Sequence, residues 1–186
     1  MHQHIRSKQA ENYRMIRRIR LLESKAMGMI SLFTLAAMLV LGFFLRPKEK
    51  ELVIGFGLVL QVLLLGLGTV GYMLLHELIH GWIMQAYGGH PRYHFSVIYA
   101  CAGSDAYFSR RQYMNIALMP VLLLGLLLLV LNIILYPEHY WFFYTLQMLN
   151  VSGAAGDLYV TAMIMRMPKD TVVQDTGTVM TFYSAQ

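Results

Sequence analysis

Cysteine is almost missing from this chain. Cys101 stands alone, so no disulfide forms within the chain and no cysteine-based metal cluster can be built. Charge is scarce as well: 13% of the residues are Asp, Glu, Lys or Arg, about half the share of an ordinary soluble domain. That scarcity argues against a soluble fold. No nucleic-acid-binding module is present, so the net charge of +5 reads as a determinant of membrane topology rather than a nucleic-acid footprint. The N-terminal region lacks the small-residue cleavage site of a secretory signal. Its charged leader is long and its first apolar run is full length, so that run reads as a membrane span. No internal repeat is visible.

Apolar sequence is abundant. Hydrophobic residues make up 57% of the chain and the mean hydropathy is +0.50. Several runs approach the roughly 20 residues that a helix needs to cross a bilayer. The expected fold is an all-α membrane protein: a four-transmembrane-helix bundle with a short β-hairpin-like or re-entrant insertion after the second helix. The spans fall at about 27–45, 52–87, 114–136 and 141–165. Pro47 ends the first and Gly88-Gly89 the second. Residues 90–112 mix aromatic and β-branched residues with polar ones, as short strands do.

Three segments follow from this division. Residues 1–26 form a basic juxtamembrane segment in which Ile16, Ile19 and Leu22 recur at helical spacing. Residues 27–166 are the polytopic membrane domain, and 167–186 are a polar, Thr-rich tail, expected to be flexible or weakly extended. With the N-terminus in the cytoplasm, twelve Lys and Arg lie on the inner side and three, Arg46, Lys48 and Lys50, on the outer. This positive-inside bias places both termini in the cytoplasm.

The second apolar helix holds an unexpected group: His76-Glu77-Leu78-Ile79-His80. Histidines at i and i+4 project from one helix face and can converge on a zinc ion at about 2.0–2.1 Å. Glu77, one residue after the first, points beside such an ion, where a base would take a proton from activated water. By chance the pattern arises in on the order of one in several hundred chains of this length. Each ionisable group at the centre of a span costs about 3 kcal/mol on insertion scales, so such groups are normally paired, metal-bound or wetted.

Catalytic zinc usually takes three protein ligands. The candidates for the third are His90, His94, Asp105, Glu138, His139 and Asp157. His76 and His80 lie roughly 16 and 10 Å from the cytoplasmic end of their helix, and Asp157 roughly 13 Å from the same side. Depth therefore favours Asp157. It places Glu138 and His139 at the opposite surface and leaves His90, His94 and Asp105 open. Around Asp157 the residues Ser152, Gly153, Ala154, Ala155 and Gly156 are all small, and Gly66, Gly68 and Gly71 offer the second helix a matching set for close contact. Asn150, two turns before Asp157, is placed to contact a substrate or an oxyanion, or more simply to bond a neighbouring helix.

His76-Glu77-Leu78-Ile79-His80-Gly81, followed by Asn150-Val151-Ser152-Gly153-Ala154-Ala155-Gly156-Asp157-Leu158-Tyr159, resembles zincin peptidases from a family of small multi-pass bacterial membrane proteins. These in turn are similar to the site-2 protease group of intramembrane metalloproteases. That group carries its aspartate in a Leu-Asp-Gly order; here the order is Gly156-Asp157-Leu158. The resemblance implies Zn²⁺-dependent cleavage of membrane protein or peptide substrates in or near the bilayer of the cytoplasmic membrane. It implies His76, His80 and Asp157 as ligands and Glu77 as base. The competing reading is a zinc-binding transporter, sensor or scaffold that performs no hydrolysis.

Overall fold

The computed structural model describes residues 13–20, 24–48, 56–95 and 100–185. Among these residues five helices are formed: α1 (Lys25–Leu45), α2 (Phe56–Ala86), α3 (Arg110–Ile134), α4 (Tyr140–Gly153) and α5 (Ala155–Met165). Five strands accompany them: β1 (Tyr13–Arg20), β2 (Arg92–Phe95), β3 (Ala100–Ser109), β4 (Val172–Asp175) and β5 (Val179–Ala185). The strands make one sheet in the order β1-β5-β4-β3-β2, antiparallel at every pairing.

The all-α expectation is therefore wrong. Part of the basic leader and most of the polar tail are strands, and with the 90–112 insertion they build a sheet beside the helices. Val172, Val173, Val179, Thr181, Phe182 and Tyr183 favour extended backbone. Gly177, at φ +91°, supplies the left-handed residue of the β4–β5 turn. Isolated hairpins are marginal in water. This one is stabilised by β3 on one side and β1 on the other, partners far away in sequence. In the leader, Tyr13–Arg20 is a strand rather than a helix: pairing with β5 overrides the helical spacing of Ile16 and Ile19. Leu22 lies outside the described residues.

The expected fourth span is broken at Ala154 between α4 and α5. Ser152, Gly153 and Gly156 are poor interior helix residues, which explains why the break falls there. Among the described residues, three helices are long and apolar enough to cross a membrane: α1, α2 from Gly57 to Ala86, and α3.

The sheet and the helix ends share one core. Met84, Phe108, Tyr113, Ile116, Val160, Ile164, Val173, Met180 and Phe182 are all buried in it. A capping box starts α3, with the Ser109 hydroxyl accepting from Gln112 N–H and the Gln112 side chain accepting from Ser109 N–H. The Arg110 guanidinium donates to the carbonyls of Met165 and Met167, each at 2.8 Å, and so ties the start of α3 to the end of α5. At the other end of the helices, Tyr140 and Tyr144 of α4 donate to Gly42 and Met38 carbonyls of α1 at 3.0 and 2.6 Å.

Gly103 of β3 lies directly beneath the β4–β5 turn. A Cβ there would run into the backbone of Thr176 and Gly177, whereas a Cβ on Gly28 of α1 would meet nothing within 4 Å. Overpacking against backbone costs about 1–3 kcal/mol, or several degrees of melting temperature in a chain of this size. Gly103→Ala is expected to lower the melting temperature of the purified protein by about 3–10 °C. Gly28→Ala, within α1, is expected to hold it or raise it slightly.

Candidate metal centre

His76 and His80 sit one turn apart on α2 and are both buried, at 8% exposure each. Their Nε2 atoms are 3.2 Å apart. Asp157, in the first turn of α5, reaches both: Oδ2 is 3.2 Å from His76 Nε2 and Oδ1 is 3.5 Å from His80 Nε2. Three donors each about 2.0–2.1 Å from a common zinc, at tetrahedral angles, would stand about 3.3–3.4 Å from one another. The observed separations match that spacing.

The remaining nitrogens of both rings are engaged elsewhere. His80 Nδ1 lies 2.8 Å from the Ile116 carbonyl. His76 Nδ1 lies 3.2 Å from the Tyr72 hydroxyl. Each ring can thus hold its proton on Nδ1 and present the Nε2 lone pair to the shared centre, as histidine ligands to zinc do. Two imidazoles and a carboxylate are also a common zinc donor set. The residues fit the ion.

Among the described residues, His76, His80 and Asp157 form the group able to hold a metal. His90, His94 and Asp105 are exposed on or beside the β2–β3 hairpin, and Asp105 is paired with Arg92 at 2.7 Å. Glu138 and His139 are exposed in the turn before α4.

Glu77 projects into the same cavity of about 420 Å³ without joining the three donors. Its Oε2 accepts the backbone N–H of Ala102 in β3 at 2.7 Å. The carboxylate is thus held between the helix that carries the histidines and the strand that walls the cavity. Ala102 stands opposite Tyr93 of β2 on one side. On the other, the β3–β4 ladder ends at Ser104 opposite Asp175, and the β4–β5 turn crosses the strand at Gly103.

Asn150 is buried at 1% exposure. It is engaged at both ends, accepting from the Tyr72 hydroxyl at 3.2 Å and donating to the Val121 carbonyl at 3.0 Å. Sequence reasoning missed Tyr72, although its place four residues before His76 put it on the same helix face. It also missed Asp175, which the β4–β5 hairpin brings to the cavity wall. Nothing local marks that residue. Asp175 is buried and accepts from Tyr113 O–H and Gly177 N–H, and burial raises its pKa above the usual carboxylate range.

The glycines do not clasp α2 to α5. Gly66, Gly71 and Gly153 have open space where a Cβ would stand. Gly68 meets the Phe142 ring and Gly156 the end of Met27. Gly153 and Gly156 line the cavity, while α3 packs against both α2 and α5.

A family model described as "Putative zincin peptidase" matches residues 69–172, more than half of the chain. The chain belongs to the Putative zincin peptidase family. No curated protein and no solved structure matches it. The family implies zinc, and the matched stretch contains all three donors. It begins within α2 and ends at the first residue of β4, so α1, β1 and β5 of this zincin lie outside it.

Purified wild-type protein is expected to carry about one zinc per chain. Asp157→Ala or His76→Ala should lose most of it, as measured by elemental analysis after gel filtration. Retention of a full equivalent by Asp157→Ala would remove that carboxylate from the ligand set.

Proposed function

We propose that this zincin is a membrane-embedded metallopeptidase that cleaves peptide bonds of membrane-associated proteins or peptides. The observation that carries the reading is the meeting of His76, His80 and Asp157 at ligand spacing in a cavity that also receives Glu77. Zinc held by the three donors would lower the pKa of a water molecule toward neutrality and polarise a carbonyl. Glu77 takes a proton from the attacking water and delivers it to the leaving amine. The Ala102 N–H aims its carboxylate for both transfers.

Further features bear on the substrate. Helical segments in a membrane hide their peptide bonds, so a substrate must be extended before it is attacked. The 92–108 segment is assigned that step: β3 runs beside the cavity and would take up the extended substrate as an added strand. The proposed location is the bacterial cytoplasmic membrane, crossed by α1, α2 and α3 and crossed back by α4 and α5 together, with both termini inside. The apolar length of α1, α2 and α3 and the distribution of Lys and Arg support this arrangement.

Glu77→Gln tests the mechanism. The variant is expected to bind zinc as wild type does, while hydrolysis of a membrane-protein substrate in detergent or liposomes falls about 10²–10⁴-fold. Hydrolysis at the parental rate would exclude Glu77 as the base. If cells keep their phenotype with Glu77→Gln but lose it with His76→Ala, the non-hydrolytic zinc-binding reading takes its place.

A further inference from the structure

Helix α3 supplies no ligand, yet two of its backbone carbonyls decide which nitrogen each imidazole presents. A carbonyl oxygen can only accept a hydrogen bond. The Ile116 carbonyl faces His80 Nδ1 at 2.8 Å, so that nitrogen carries the proton. In an uninterrupted helix this carbonyl would take the N–H of residue 120. Residue 120 is a proline inside α3 and has no N–H to give. The carbonyl is thereby left free for His80.

The second carbonyl acts at longer range. Val121 O accepts from Asn150 Nδ2 at 3.0 Å, which turns Asn150 Oδ1 toward α2. That oxygen accepts the Tyr72 O–H at 3.2 Å. With its proton committed, the Tyr72 oxygen faces His76 Nδ1 at 3.2 Å as an acceptor. His76 is therefore also protonated at Nδ1, with its Nε2 lone pair directed at Asp157 and His80. Gly125 makes room for the chain: a Cβ there would stand 2.8 Å from Asn150 Nδ2.

We propose that α3 is the positioning helix of the metal centre, setting both histidines in the Nδ1–H form through the carbonyl that Pro120 frees and through the Asn150–Tyr72 relay. The proposal rests on the reading of His76, His80 and Asp157 as a metal site. Pro120, Tyr72 and Asn150 touch neither ion nor substrate in this scheme. They act through the histidines.

Zn²⁺ affinity of the full chain, stripped of metal and titrated against a competing chelator in detergent, tests it. Tyr72→Phe keeps the ring and removes the hydroxyl, and should weaken Zn²⁺ binding about 10–100-fold. Asn150→Ala should weaken it too. The double variant should be no weaker than Tyr72→Phe alone, because Asn150 acts only through Tyr72; two independent structural defects would instead add. Pro120→Ala gives the Ile116 carbonyl a helical partner. It should bind Zn²⁺ about tenfold more weakly, while the metal-free melting temperature holds or rises because an interior proline has been removed from a helix. Proton–nitrogen NMR of the Zn²⁺-loaded protein, with Nε2 of both rings on the metal, should show an Nδ1–H on each ring, and the His76 Nδ1–H resonance should move upfield in Tyr72→Phe, where its acceptor is gone.

Unchanged Zn²⁺ affinity in Tyr72→Phe, or additive losses in the double variant, would overturn the relay. Unchanged affinity in Pro120→Ala would overturn the role of the proline. If Asn150→Ala or Pro120→Ala does not fold, the Zn²⁺ affinity and the His76 Nδ1–H resonance of Tyr72→Phe decide. Failure of wild type itself to bind Zn²⁺ would instead overturn the metal-centre reading.

Discussion

Three polar side chains, each unfavourable to bury alone, converge in an apolar setting. That convergence is the constraint on which the architecture turns. The Asp157 carboxylate faces two imidazoles at 3.2 and 3.5 Å. A carboxylate among apolar helices carries a desolvation cost that a shared cation would offset. A divalent ion would satisfy all three together and would draw α2 and α5 to a fixed separation. The helices do not meet through a glycine seam. They are related through α3, which packs against both, and through the core shared by helix ends and sheet.

The sheet changes what kind of site this is. In a purely helical bundle the histidine face of α2 would look onto other helices, whose backbone groups are already paired. Here β3 runs beside it and gives the Ala102 N–H to Glu77. A carboxylate that accepts a backbone N–H has a fixed direction, as proton transfer requires. The β4–β5 turn, crossing Gly103 and bringing Asp175 and Gly177 to the cavity, closes the strand side. Most of this hairpin lies beyond residues 69–172, the stretch that matches the family model.

Legibility from sequence was uneven, for physical reasons. The helical apolar runs were readable because length and hydropathy are local properties, and three of them form helices long enough to cross a membrane. His76, Glu77 and His80 were readable because i, i+1 and i+4 positions on a helix have a fixed angular relation. The match in depth between Asp157 and the histidines was readable from helical rise alone. The sheet was not. Ile16 and Ile19 fit a helical period as well as a strand, and the residues that settle the matter, Val179–Ala185, stand over 150 positions away. The break at Ala154 was foreshadowed by its small neighbours, but those residues read equally well as helix-packing surface.

What the sequence by itself determined is the inventory of chemistry: two histidines and a glutamate on one helix face, an aspartate at the same depth, and apolar helices long enough to hold them away from bulk water. Only tertiary structure decided how that chemistry is oriented. The proton positions on the two rings follow from the Ile116 and Val121 carbonyls, and the direction of Glu77 from the Ala102 N–H. Pro120 marks the Ile116 carbonyl in the sequence as lacking its helical partner. Where that carbonyl and the other backbone groups point is settled when distant elements pack.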